Sequence, residues 1–64
     1  MADVIIDRIK KTVWIGTEQQ NKTYNWISDN VSSSGKWYVI NIEVLGNKGE
    51  IILPCDRTNM ISIG

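Results

Sequence analysis

The sequence predicts a small all-β domain, four or five strands in meander order that close into a barrel, and three observations predict it. Tyr38, Ile40, Ile42 and Val44 fall at alternate positions, Gly46-Asn47-Lys48-Gly49 follows as a turn, and Glu50-Ile51-Ile52-Leu53 resumes an apolar run, which is the pattern of a β-hairpin. Val4-Ile5-Ile6 and Thr12-Val13-Trp14-Ile15 are β-branched and aromatic runs that suit a pleated, half-buried surface. Turn-forming residues recur at short intervals between these runs, as in small sandwiches and barrels, where closure removes exposed strand edges.

Residues 1–13 carry two patterns at once. Ile5, Ile6, Ile9 and Val13 fit an amphipathic helix capped by Asp3, so the alternative architecture is an N-terminal helix packed on an antiparallel sheet. The density of β-branched residues favours strand. A second hairpin is expected with Asn21-Lys22 at its centre, facing Gln19 with Tyr24, Thr17 with Trp26 and Ile15 with Ser28, which gives a shared face of Val13, Ile15, Thr17, Tyr24 and Trp26. Asp29 to Gly35 is rich in residues that bond their own backbone or adopt positive φ, so it reads as a connector. In the last hairpin, Asn47 and Lys48 at the turn centre would face Val44 with Ile51 and Ile42 with Leu53, placing Tyr38, Ile40, Ile42, Val44, Ile51 and Leu53 on one buried face. Pro54 removes a ladder donor and ends the strand. Cys55 to Asn59 reads as a turn or one helical turn, and Met60 to Ile63 as a final short strand.

That second half, from the aromatic-led strand at Trp37-Tyr38 through the tight turn, Ile52-Leu53-Pro54, the short polar segment and the last strand, resembles the end of an SH3-like barrel. The resemblance is architectural and covers about half the chain. The peptide-binding signature of that family is not matched: no Ala-Leu-Tyr-Asp-Tyr-like start and no acidic loop ahead of Trp37 are present, so proline-rich ligand binding is not carried over.

Composition bounds the function. A chain of 64 residues forms one small domain, 1–64, whose modest core invites a staple such as a disulfide, a metal or self-association. One cysteine, Cys55, and no histidine leave neither an intrachain disulfide nor an ordinary zinc site. Acidic and basic residues balance at seven each, which gives no electrostatic reason to expect a nucleic-acid backbone as partner. No basic segment followed by an apolar core opens the sequence and the apolar runs are a few residues long, so a cytoplasmic chain with no membrane partner is expected.

No catalytic, cofactor-binding or metal-binding residues are assigned. The seven carboxylates fall singly, and Cys55 has beside it only Asp56, which opposes thiolate formation, and Arg57. The compositional excess is in tryptophan: Trp14, Trp26 and Trp37. Trp26 falls with the core face, whereas Trp14 and Trp37 fall on the opposite parity and, with Val39 and Ile52, would make an apolar-aromatic patch for a protein partner or a second copy. The expectation is therefore a non-enzymatic binding protein without cofactor, a homodimer or a compact inhibitor or adaptor, similar in style to small proteins of bacteriophages and other mobile elements. The alternative is a single-stranded nucleic-acid binder using Lys10, Lys11 and Lys36 with the aromatics; a third is a small-ligand sponge with its pocket at a subunit interface.

Overall fold

Each β-branched run becomes a strand in the computed structural model, which describes residues 2–64 and leaves Met1 outside. The elements are β1 (Ala2–Asp7), β2 (Thr12–Gly16), β3 (Asn21–Val31), β4 (Trp37–Val44), β5 (Asn47–Pro54), a 3-10 turn (Cys55–Arg57) and β6 (Thr58–Ile63). The strands form one sheet of six in the order β5-β4-β3-β2-β1-β6. The N-terminal helix alternative is thereby corrected: Val4, Ile5 and Ile6 face Ile15, Trp14 and Val13 across an antiparallel ladder.

The meander extends from β1 to β5, and β6 departs from it. It returns to lie parallel to β1, pairing Ala2 with Thr58 and Asp7 with Ile63. The expected four or five strands are thus six, and the expected closure is absent, since β5 and β6 are the two edges and no ladder joins them among the described residues. The sheet is nevertheless strongly curled. If it were flat, the edge strands would lie about 24 Å apart at ~4.8 Å per neighbour. The four steps of chain from Pro54 to Thr58 reach at most about 14 Å. Twist of about 20–25° per neighbour accumulates to roughly 100–125° across the sheet, which brings the end of β5 to the start of β6. The molecule's smallest extent, 23 Å, agrees with a curled sheet.

The bend is located in β3. Its first part, Asn21 to Asn25, pairs with β2, and its second, Asn25 to Val31, pairs with β4. The register shifts between Trp26 and Ser28, so Ile27 is the extra residue of a bulge, the device by which a strand passes from one packed sheet to another. Asp29 to Val31, expected as a connector, is strand for this reason. Two half-sheets then face each other across the core: Val4, Ile6, Val13 and Ile15 from one, Ile40 and Ile42 from the other, with Tyr24, Trp26, Tyr38, Ile51, Leu53 and Met60 packed around them.

Both expected turn centres are displaced, so the expected facing pairs are replaced, while the residues of each strand keep their face. The last hairpin turns at Leu45-Gly46, whose φ values of 51° and 81° suit a type I′ turn, so Ile40 faces Ile51 and Tyr38 faces Leu53. The earlier hairpin turns over Thr17 to Gln20, closed by Thr17 N–H donating to the Gln20 carbonyl at 2.8 Å, so Val13 faces Tyr24 and Ile15 faces Lys22. Both displacements are even in register, and an even slip keeps every side chain on its face.

Candidate protein-binding site

The outer face of the β4–β5 ladder carries the expected apolar residues in cross-strand pairs. Val39 faces Ile52, and Trp37 faces Pro54. Trp37 is 47% exposed and Ile52 58%, so the pairs form a surface and not a second core. Adjoining them is an open cleft of roughly 600 Å³ lined by Gly35, Lys36 and Trp37 on one side of the chain's return and by Pro54, Cys55, Asp56 and Arg57 on the other. Cys55 N–H donates to the Lys36 carbonyl at 3.0 Å, and Thr58 Oγ1 donates to the Pro54 carbonyl at 2.6 Å. These bonds hold the 3-10 turn against the start of β4, so Trp37 and the cleft floor share one rigid support.

Trp14 does not join this patch. It faces Ile5 and Thr23 on the outer side of the other half-sheet, level with the beginning of β3, whereas Trp37 stands at the far end of β3, where Ser32 N–H donates to its carbonyl. The two indoles are separated by roughly 30 Å of strand. Trp14 lies half-buried in its own row with Ile5 and Ile61, and its ring covers Gly16 so closely that a Cβ there would fall within the indole. The expected four-residue patch is corrected to Trp37, Val39 and Ile52. Pro54 completes it, and its place opposite Trp37 follows only from the observed register, since the expected one sets it against Asn41.

The lysines are likewise dispersed. Lys10 and Lys11 occupy the β1–β2 turn, and Lys36 precedes β4 at the cleft. Lys22 lies over the Tyr24 ring at 5.3 Å, a cation–π contact on the inner face. No stripe of alternating cations and exposed rings results.

The strongest polar cluster was not visible in the sequence. The Asp29 side chain is 8% exposed and sits in the same inner row as Ile40 and Ile51. Arg8 Nη2 donates to both its oxygens at 3.0 Å, Trp26 Nε1 donates to Oδ1 at 3.1 Å, and the Tyr38 hydroxyl donates to Oδ2. The Arg8 guanidinium also lies 5.6 Å from the Trp26 ring centroid. Burial, reinforced by the bond to Asp29 and that carboxylate's charge, pushes the Tyr38 phenol up from 10.0 to about 12. With both its oxygens engaged, the Asp29 carboxylate offers no free lone-pair site for a substrate proton. The cluster fastens the β1–β2 turn to the overhanging part of β3.

Among the described residues, no group of His, Cys, Asp and Glu gathers that could hold a metal ion, and no helix is long and apolar enough to cross a membrane. Compared with known proteins, the chain matches no family model, no curated protein and no solved structure.

Proposed function

We propose that this chain is a non-enzymatic binding protein that engages another protein through the outer face of β4 and β5. The observation that carries this is the pairing of Trp37 with Pro54 and of Val39 with Ile52 on an edge hairpin. An exposed aromatic beside a cleft, on a backbone fixed by the 3-10 turn, is the kind of preorganised anchor that dominates protein interfaces. The neutral charge supports an apolar contact over an electrostatic one, and the separation of Lys10 and Lys11 from Lys36 leaves the nucleic-acid alternative without a continuous track. The order of hairpins, 3-10 turn and returning strand supports reading the architecture as a relative of SH3-like barrels, left open between β5 and β6. An adaptor or inhibitor role in the cytoplasm is the part of this reading that rests on the sequence alone.

The test is capture from a lysate of the source cell on immobilised protein, comparing wild type with Trp37→Ala and Ile52→Ser. A captured protein lost with both variants, while thermal unfolding stays within a few degrees of wild type, supports the surface. Equal capture by all three, or unfolding of both variants, refutes it.

A further inference from the structure

We propose that the free edge of β5 pairs with β5 of a second copy, antiparallel, with Gly49 on the two-fold axis. This deepens the protein-binding reading and rests on it. In a two-residue hairpin the residues flanking the turn exchange hydrogen bonds and the ladder then alternates. Val44 and Asn47, Ile42 and Gly49, Ile40 and Ile51, and Tyr38 and Leu53 are therefore bonded to each other. Lys48, Glu50 and Ile52 turn their N–H and C=O groups away from β4, to the side where no strand lies. Pro54 belongs to the same outward set, so its missing N–H takes nothing from the β4 ladder.

If this edge pairs with itself, outward residues must meet outward residues, which leaves few registers. Centring on Glu50 sets two carboxylates opposite each other, a destabilising cross-strand pair. Centring on Ile51 sets Glu50 against Ile52 and Lys48 against Pro54, with no charge pair. Centring on Gly49 sets Lys48 of each copy opposite Glu50 of the other, twice, with no side chain on the axis. A lysine and a glutamate two positions apart on an edge strand are thus self-complementary, whereas a single lysine there would repel its own copy. The same register brings the turn of each copy beside Ile52 and Leu53 of the other. Leu45, 94% exposed at that turn, and Ile52 would both leave water, an independent reason to favour this register.

The experiment measures mass by light scattering over a dilution series, with charge reversals and their combination. Wild type is expected to be dimeric, Lys48→Glu and Glu50→Lys each to weaken the dimer about thirtyfold by turning two attractive pairs repulsive, and the double reversal to restore it. All these positions are exposed, and thermal unfolding confirms that each variant is folded. In a Cys55→Ser background, Gly49→Cys is expected to form an interchain disulfide readily, since a self-facing residue at a non-bonded site lies about 4.5 Å from its copy between Cα atoms. Lys48→Cys, facing Glu50 instead, is not. A monomer at all concentrations, a dimer indifferent to single reversal, or equal cross-linking of the two cysteines would overturn the proposal. If those results come with capture still lost in Trp37→Ala, self-pairing fails alone; loss of neither refutes the binding surface itself.

Discussion

Replacing Asp29 by alanine removes one acceptor group from three donors at once, and its cost can be worked from the geometry. The Trp26 Nε1–H and the Tyr38 hydroxyl each lose a part-buried bond that water partly replaces, so the ordinary net value of about 1–1.5 kcal/mol apiece applies. Arg8, whose side chain is 33% exposed, recovers water, so its share is nearer that of a surface ion pair, up to about 1 kcal/mol. The sum is about 3 kcal/mol. A domain of 64 residues has roughly 3–10 kcal/mol in total, so the variant should be close to unfolding, with Tm lower by roughly 12–24 °C. Urea unfolding followed by tryptophan fluorescence measures this directly, and Asp29→Asn, which keeps one acceptor oxygen and the shape, should lose about half as much. A loss below about 1 kcal/mol for alanine with an unchanged m-value would show that the cluster behaves as an ordinary surface pair.

Three further outcomes are expected. Gly16→Ala places a methyl within the Trp14 indole and should cost about 1–3 kcal/mol; a neutral result by chemical denaturation would mean that the ring moves aside freely. Leu45→Asn should stabilise the folded monomer by about 1 kcal/mol, because Leu45 holds a φ of 51° that asparagine adopts more readily before glycine, and it should weaken self-association in the same samples. The third concerns alkaline pH. Below pH 10 the Tyr38 phenol is protonated in both folded and unfolded chains. Between 10 and about 12 the unfolded chain ionises first, so stability falls as pH rises; full enclosure would make the loss about 2.7 kcal/mol, and solvent screening of a partly exposed phenol leaves about 1 kcal/mol. Tyr38→Phe should remove that component of the decline when unfolding is measured across the range.

What was legible in the sequence was whatever follows from parity. Ile40, Ile42, Val13 and Ile15 were placed on inner faces correctly although both turns were centred on the wrong residues, because alternation fixes the face while the turn fixes only the register. Asn47-Lys48 and Asn21-Lys22 looked like turn centres by residue type, yet Leu45-Gly46 won the first position: the strand pairing it allows sets Ile40 against Ile51 and Tyr38 against Leu53, and that burial outweighs the strain at one leucine. The patch of Trp37, Val39 and Ile52 followed from the same parity. Trp14 shares that parity but not that place, because parity says nothing about how far apart two outward residues lie along a bent strand. Asp29 was unreadable for a related reason. Its neighbours suggested a loop, and its partners Arg8 and Tyr38 are distant in the chain, so no local pattern announced a buried carboxylate.

The parallel pairing of β6 with β1 has a consequence for the order of events during folding. Asn59 Nδ2 donates to Asp3 Oδ1 at 3.2 Å across 56 residues of chain, and the whole β1–β6 ladder spans similar separations. Contacts of that reach are assembled late and slowly, since the intervening loop must be closed before they contribute. The hairpins from β1 to β5 can form locally on the microsecond scale, but until residues 58–63 arrive the outer edge of β1 stays open with Ile5 beside it. Until that ladder closes, the folding chain therefore carries an adhesive strand, and β6 acts as the clasp that retires it.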